Sequence, residues 1–211
     1  MSASRSTKNW LREHARDAYV RRAQADGYRS RAVYKLMEID TRYRLLRPGM
    51  TVIDLGAAPG GWTQYVRERV GPKGRVLAQD ILAMAPLPQV QFVRGDITDP
   101  GVLDLLRQEL AGSRAELVIS DMAPNITGDS VSDQARMVEL AEHVLIVAGV
   151  FLKKGGHLLL KAFQGAGFTQ VRQAMRPSFD KLLSCKPQAS RSQSREIYLL
   201  GVGFRGTDDR L

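Results

Sequence analysis

The chain has 211 residues, of which 44% are hydrophobic, enough to bury a substantial core in one domain or in one domain with an extension. No apolar stretch approaches the roughly 20 residues that span a bilayer, and the N-terminal residues lack the apolar segment of a secretory signal, so we expect a soluble, cytoplasmic protein without membrane contact. A single cysteine, Cys185, and three scattered histidines exclude an internal disulfide and argue against a metal site.

Charge is unevenly distributed along the chain. Residues 1–50 carry a net charge of +7, residues 51–152 of −5 and residues 153–211 of +7, which together give the +9 of the whole chain. Two basic segments around an acidic one indicate a polyanionic partner, most simply nucleic acid. A basic surface that only keeps the protein soluble is the alternative. An organelle transit peptide is disfavoured because acidic residues interrupt the basic N terminus.

The predicted elements divide the chain into three parts. Residues 5–47 predict helices outside any sheet pattern, so we expect residues 1–47 to form a basic N-terminal extension that packs on the core and contacts RNA. Residues 48–205 alternate between strands and helices and form the core domain. Residues 206–211 predict a flexible tail.

Alternating strands and helices in the core indicate a parallel sheet. The first five predicted strands cover residues 51–55, 75–80, 90–96, 116–121 and 156–163. Strand-like runs at 179–187 and 196–204 then follow each other without a helix, and they predict an antiparallel hairpin at one edge. Ligands bind such sheets beyond the carboxyl ends of the strands.

The stretch DLGAAPGGWT, residues 54–63, has three glycines where the first strand turns into a helix. Glycines permit a tight turn and a close approach of the main chain to a ligand. Ala58 replaces the central glycine of a dinucleotide loop, and Pro59 removes a backbone donor that a pyrophosphate would use. The loop therefore favours an adenosyl ligand without phosphates, the alternative being a tight packing joint.

Acidic residues, Asp80 and Asp96, close the second and third predicted strands. An acid about 20 residues after a glycine-rich loop accepts hydrogen bonds from ribose hydroxyls, and a carboxylate at the neighbouring strand end can accept one from an adenine amino group. Taken alone, each acid is equally well explained as a helix N-cap or loop residue. Trp62 offers either a flat apolar surface beside this pocket or a core side chain. Together these residues favour a nucleoside pocket.

Resemblance to a known family rests on five stretches: SRAVYKL, DLGAAPGGWTQ, DMAPN, LLLKAF and SRSQSREIYLL. From about residue 9 to residue 204 the chain resembles the FtsJ/RrmJ (RlmE) family of ribosomal-RNA ribose 2′-O-methyltransferases. The resemblance implies an α/β fold, the Rossmann-like class I methyltransferase fold, with a seven-stranded, mostly parallel sheet and an antiparallel edge strand. It also implies that residues 48–205 are the methyltransferase domain and that S-adenosylmethionine is the cofactor.

The resemblance further implies the site residues. A catalytic tetrad maps onto Lys35, Asp121, Lys161 and Glu196. The cofactor-binding positions of the family fall on Gly60, Trp62, Asp80, Asp96 and Asp121. The sequence departs from the family pattern at none of these positions.

The tetrad suits a weak nucleophile such as a ribose 2′-hydroxyl, which must lie in line with the methyl group and lose its proton. Lys161 ends an apolar run, where a charged residue is costly unless it is paired or functional. We therefore expect Lys161 to be the general base, Asp121 and Glu196 to orient it, and Lys35 to position the hydroxyl or a phosphate. Alternatively, Lys161 stays protonated and only orients the hydroxyl. Each residue taken alone also has a structural explanation.

The acceptor and the RNA contacts follow from two further features. Amine methyltransferases of this fold typically carry an aromatic residue in the segment that corresponds to residues 121–125, and DMAPN lacks one, which favours a hydroxyl acceptor. Basic side chains bind RNA phosphates without reading sequence. The expected RNA contacts are Arg12, Arg16, Arg29, Arg31, Lys35, Arg191 and Arg195.

By resemblance we predict that the protein, as a monomer, methylates the ribose 2′-hydroxyl of a uridine in 23S rRNA of the large ribosomal subunit. A 2′-O-methyltransferase of tRNA or of an mRNA cap is one alternative. A non-catalytic RNA-binding assembly factor is another, which the intact Asp80, Asp96 and Lys161 disfavour. A nicotinamide-dependent dehydrogenase is disfavoured by the glycine loop.

Overall fold

A computed structural model describes residues 17–125, 127–191 and 193–206. The helices are α1 (Ala18–Ala25), α2 (Val33–Tyr43), α3 (Gly61–Val70), α4 (Pro100–Leu110), α5 (Ser130–Phe151) and α6 (Ala166–Met175), with a 3-10 helix at Arg176–Ser178. The strands are β1 (Thr51–Leu55), β2 (Arg75–Asp80), β3 (Val90–Arg94), β4 (Ala115–Ser120), β5 (Leu152–Phe163), β6 (Phe179–Cys185) and β7 (Glu196–Phe204). None of these helices has the length and apolar character that crossing a membrane requires.

The strands form one seven-stranded sheet in the order β3-β2-β1-β4-β5-β7-β6. Strands β1 to β5 pair in parallel, whereas β7 pairs antiparallel with both β5 and β6. This confirms the predicted α/β fold with its hairpin at one edge. The antiparallel strand itself, β7, lies one position inside the sheet, and the edge strand is β6. Strand order reverses between β1 and β4, which is the point where open sheets of this kind bind ligands.

Both faces of the sheet are covered by helices. Along β1, Ile53 and Leu55 pack in the cluster under α4, α5 and α6, while Val52 packs in the cluster under α2 and α3. Successive side chains of a strand point to opposite faces, so an apolar run such as TVIDL is what a doubly covered strand requires. The two layers hold the carboxyl ends of the parallel strands at a fixed edge.

The N-terminal helices that the structure describes, α1 and α2, lie before the first strand of the sheet. Leu36 and Ile39 of α2 are buried in the same cluster as Val66 of α3. The Glu38 carboxylate accepts hydrogen bonds from the backbone N–H groups of Gln188 (2.6 Å) and Ala189 (2.9 Å), in the loop between β6 and β7. Helix α2 is therefore anchored on that loop. Arg12, Arg16 and most of the predicted tail lie outside the described residues.

Candidate functional site

A cleft of about 860 Å³ opens at the carboxyl ends of the parallel strands. Its walls come from the residues that follow β1, β2, β3 and β4 and from one side of α5. Among the lining residues are Gly56, Asp80, Asp96, Asp121 and Asn125. The cleft therefore spans the switch point between β1 and β4 and brings together predicted site residues from three strand ends.

The glycine loop is tightly enclosed by other side chains of the protein. Gly56 and Gly60 have positive φ angles of 73° and 108°, a conformation that glycine adopts at little cost. A Cβ atom at Gly56 would collide with Met122, and one at Gly60 would lie 2.9 Å from both Arg29 Nη1 and Met84 Sδ. Packing within the protein is therefore sufficient to explain glycine at both positions, whether or not the loop also binds a ligand.

Arg29 holds this loop from outside. Its Nη1 donates to the carbonyl oxygens of Pro59 (3.3 Å) and Ala85 (2.7 Å), and its Nη2 donates to that of Pro86 (2.9 Å). Arg31 forms an ion pair with Asp17 and donates to the carbonyl oxygen of Ala189. Both guanidinium groups thus bind groups of the protein itself, and the RNA contacts expected for them stay predictions.

Asp80 and Asp96 both line the cleft, and both also organise their own loops. Asp80 accepts hydrogen bonds from the backbone N–H groups of Ala58 and Leu82, each 2.8 Å long. Oδ1 of Asp96 accepts from the backbone N–H (2.9 Å) and the hydroxyl (2.8 Å) of Thr98, and these bonds lower the pKa of Asp96. An ionised carboxylate has about four acceptor positions, so each acid keeps acceptor capacity for a ligand.

Asp54, the penultimate residue of β1, is a buried carboxyl group that the sequence did not single out. Its side chain is 1% exposed, and the Thr63 hydroxyl donates to its Oδ2 at 2.7 Å. Burial raises the pKa of Asp54 to about 7; the hydrogen bond from Thr63 opposes this rise, and the charges of Asp121 and Asp80 add to it. The charges of two neighbouring carboxyl groups therefore act on the protonation of Asp54, and a positive charge placed beside it would lower its pKa.

We expect Asp54→Asn to change the pH dependence of stability. The folded protein holds the Asp54 proton up to about pH 7, whereas the ordinary pKa is 3.8, so Asp54 favours folding at acid pH and loses that contribution as pH rises from about 4 through 7. At pH 8 the variant should exceed wild type in free energy of unfolding by on the order of 1–4 kcal/mol. Denaturant titrations at pH 5 and pH 8 measure this, and an equal difference at both pH values would contradict it.

The predicted tetrad forms two buried ion pairs. Lys161 Nζ lies 3.0 Å from Asp121 Oδ1 and also donates to the Asp121 carbonyl oxygen. Lys35 Nζ donates to Glu196 Oε2 at 2.9 Å and lies 2.7 Å from Oε1, the latter without hydrogen-bond geometry. Burial alone would raise the pKa of Glu196, but the hydrogen bond from Lys35 and the charges of Lys35 and Lys161 lower it.

Strand register explains why the two pairs lie side by side. Lys161 of β5 faces Tyr198 of β7, and Glu196 faces Phe163 two residues further along β5. Residues two apart on a strand share a face of the sheet, so Lys161 and Glu196 are diagonal neighbours on that face, roughly 7–8 Å apart between Cα atoms. Asp121 joins them from the end of β4 and lines the cleft.

Tyr198 belongs to this cluster and was missed by the sequence analysis. Its hydroxyl donates to Asp121 Oδ1 at 2.6 Å, and the side chain is fully buried. Burial and the charges of Asp121 and Glu196 raise the pKa of Tyr198 far above its ordinary value, so it remains a hydrogen-bond donor. The available signal was its position two residues after Glu196 on a strand, which places both on one face.

Trp62 lies in the core instead of forming a wall of the cleft. It is 4% exposed, its Nε1 donates to the Ala32 carbonyl oxygen at 2.7 Å, and its ring centroid lies 5.8 Å from that of Tyr198. The core alternative therefore describes its side chain, in contrast to the flat pocket surface that was the other expectation. Through these contacts the Trp62 ring packs against Tyr198 and connects α3 to the residue that precedes α2.

Arg191 and Arg195 lie on the loop that precedes β7. Both side chains are exposed. Arg191 Nε is 3.8 Å from Asp17 Oδ2, and the Arg195 backbone carbonyl accepts a hydrogen bond from Gln164 N at 2.8 Å. Arg191 and Arg195 thus lie five residues and one residue before Glu196 in the chain with exposed side chains, and the RNA contact of both stays a prediction.

Sequence comparisons connect this arrangement with known proteins. Residues 28–204 match the sequence model of the family described as FtsJ-like methyltransferase. The chain is 54% identical over 205 residues to Ribosomal RNA large subunit methyltransferase E of Azoarcus sp. (strain BH72), covering 97% of this chain and 100% of that one. It is 50% identical over 206 residues to the protein of the same name from Pseudomonas aeruginosa, covering 98% and 100%.

Solved structures with the same fold are also found. A Plasmodium falciparum protein described as a ribosomal RNA methyltransferase superposes with a TM-score of 0.78 at 28% identity, covering 85% of this chain and 100% of that one. A fibrillarin from Methanococcus jannaschii superposes with a TM-score of 0.54 at 16% identity, covering 77% and 70%. At that identity the second likeness shows the fold alone.

Proposed function

Because the chain belongs to the FtsJ-like methyltransferase family, we propose that it methylates the ribose 2′-hydroxyl of a uridine in 23S rRNA of the large ribosomal subunit. It is an S-adenosylmethionine-dependent methyltransferase, as its family is. Relatives at about half identity, matched over nearly their whole length, are named for methylation of large-subunit ribosomal RNA, which supports the substrate class. Acting as a monomer in the cytoplasm is part of the proposal.

The donor set of the cleft fits S-adenosylmethionine. That molecule carries two positive groups, a sulfonium and an ammonium, and when bound it supplies an electrophilic methyl group. The carboxyl groups of Asp80, Asp96 and Asp121 line the cleft, and carboxylates favour a cationic ligand. Asp80 would hold the ribose and Asp96 the adenine amino group, with the main chain around Gly60 at the methionine end.

The two buried ion pairs carry the proposed mechanism. Lys161 accepts the proton of the ribose hydroxyl, and Asp121, held in turn by Tyr198, fixes its position. Glu196 fixes Lys35, which positions the hydroxyl or an adjacent phosphate. Positioned proton transfer of this kind contributes typically 10²–10⁴-fold to rate. The ion pair with Asp121 also supports the alternative in which Lys161 stays protonated and only orients the hydroxyl.

The cleft itself favours a hydroxyl acceptor. Residues 121–125 line it without an aromatic side chain that could stack on a planar amine or base. Arg191 and Arg195 precede Glu196 on the same loop, and their exposed side chains suit contacts with phosphates. These features together support a ribose oxygen, and not a base nitrogen, as the methyl acceptor.

Mapping of ribose methylation on total RNA, from cells with and without the gene, tests the proposal. We expect one uridine of 23S rRNA to lose its 2′-O-methyl group in the deletion strain, and to regain it with the wild-type gene but not with a Lys161→Ala gene. An unchanged 23S pattern with a lost mark on tRNA or on an mRNA cap would favour those substrates. Calorimetric binding of NAD, but not of S-adenosylmethionine, would overturn the cofactor assignment.

A further inference from the structure

A second concave surface lies far from the catalytic cleft. It is a groove of about 650 Å³ between α6, the 3-10 helix and the edge strand β6. Its basic lining residues are Arg172, Arg176, Lys181 and Arg205, and half-buried Phe168 forms part of its wall. We call it the edge groove. It accounts for four of the 11 basic residues in the C-terminal segment 153–211, which the catalytic site leaves largely unexplained.

Among the residues that the structure describes, the edge groove has more positive than negative side chains. The one acidic residue in that described lining, Asp180, is already paired with Arg205, whose Nε lies 3.0 Å from Asp180 Oδ1. Among the described residues, no ion pair involves Arg172, Arg176 or Lys181, and all three side chains are exposed. Three positive charges therefore face one concavity.

Helix stability does not explain this arrangement. Arg172 and Arg176 are four residues apart, a spacing at which like charges destabilise a helix by a few tenths of a kcal/mol. Their position at the C-terminal end of α6 favours cations through the helix dipole, but Lys181 belongs to β6 and gains nothing from it. The convergence of cations from two different elements points to an anionic partner.

Position relative to the catalytic site limits what that partner can be. Glu196 and Phe204 lie at opposite ends of β7, which at about 3.3 Å per residue are roughly 26 Å apart. Phe204 pairs with Phe179, a lining residue of the groove. The groove therefore opens about 25 Å from the tetrad, too far for one nucleotide but within the reach of a folded RNA, since RNA-binding domains contact duplexes over about 16 base pairs.

We propose that the edge groove binds phosphates of the RNA substrate at a distance from the methylated nucleotide. This rests on the proposed function, because the same RNA must reach both the cleft and the groove. Arginine and lysine supply the charge for phosphate contacts, and Phe168 offers an apolar surface for a sugar or base. RNA is favoured over an acidic protein because RNA is the substrate class and because phosphate contacts need no sequence-specific surface.

The test compares two double variants that remove the same charge. Arg172→Gln/Lys181→Gln alters the groove, and Lys73→Gln/Arg107→Gln alters exposed cations on the opposite half of the sheet. Filter binding of transcribed 23S rRNA between 50 and 300 mM salt gives the affinity and its salt dependence. For the groove variant we expect an affinity loss on the order of tenfold and a salt slope smaller in magnitude by about 1–2, with thermal unfolding and S-adenosylmethionine affinity unchanged. The control should lose about twofold or less.

Binding is measured without turnover, so the groove and the catalytic proposal fail separately. Wild-type affinity and salt slope in the groove variant, or equal losses in both variants, would overturn the groove proposal even if rRNA methylation is confirmed. Unchanged binding of naked RNA together with weaker binding of the assembled large subunit would also overturn it, in favour of an acidic protein partner. If the groove variant binds RNA more weakly while cells without the gene still methylate 23S rRNA normally, the groove proposal stands and the proposed function is wrong.

Discussion

Replacing Lys161 with alanine should lower kcat for methyl transfer by about 10²–10⁴-fold, the range expected for loss of a positioned proton acceptor. Its amine is buried against Asp121, which lines the cleft, whereas Asp80 and Asp96, the other acids of the predicted cofactor pocket, are held by contacts of their own. We therefore expect the affinity for S-adenosylmethionine to stay within about threefold of wild type. Single-turnover methylation of 23S rRNA together with calorimetry of cofactor binding measures both quantities.

Two further variants separate the roles that Lys161 could have. Lys153→Ala is the matched control, since Lys153 lies on the same strand and is also ion-paired, 2.7 Å from Glu116, but at the far end of β5; its kcat should be close to wild type. Lys161→Arg keeps the positive charge but provides no base at working pH. Near-normal turnover of the arginine variant across the pH range would rule out proton abstraction by Lys161 and leave only orientation of the hydroxyl.

The second large effect is expected for Asp80→Ala, which should weaken S-adenosylmethionine binding by roughly 10²-fold or more. The carboxylate holds the backbone N–H groups of Ala58 and Leu82 on two sides of the cleft, and a hydrogen bond to a charged group contributes about 1.5–3 kcal/mol. The substitution removes these two bonds as well as the proposed contacts with the ribose. Isothermal titration of the cofactor measures the loss.

A loss caused by unfolding must be distinguished from one confined to the cleft. Asp104→Ala is the control, because Asp104 is an exposed acid on α4 whose one ion-pair partner within the described part of the chain is Arg107 on its own helix. We expect its cofactor affinity to match wild type, and we expect both variants to bind 23S rRNA as wild type does. An Asp80→Ala protein with unchanged cofactor affinity would remove Asp80 from the proposed pocket.

Much of the architecture could be predicted because its signals are local. The bounds of β1, β2 and β7 match the predicted strands at residues 51–55, 75–80 and 196–204. In each, β-branched and long apolar side chains recur over five to nine residues between turn-forming ones, so burial on both faces follows from the composition of the run itself. The sequence predicted that β5 begins at residue 156, whereas the strand begins at Leu152. The difference arises because the lysines and glycines at 153–156 resemble a loop.

Whether each basic side chain would bind other parts of the protein or remain exposed could not be predicted in this way. Arg29 and Arg191 carry the same chemical group, yet the first donates to three backbone carbonyls and the second is exposed, with its Nε 3.8 Å from Asp17 Oδ2. An arginine side chain carries no local sign of whether its donors will be met by a carbonyl from a segment far along the chain. That is decided by which loops the fold places within about 3 Å of it.

By itself, the sequence determined the order of the elements, the edge of the sheet at which the candidate site residues lie and the family resemblance, because periodicity, turn chemistry and motif spacing act over a few neighbouring residues. Only the tertiary structure decided that Lys35 pairs with Glu196, 161 residues away, that Trp62 lies in the core, that Tyr198 supports Asp121 and that β7 lies inside β6. Each of these depends on contacts between distant segments, whose energies exist only once the layers have packed and water has been excluded.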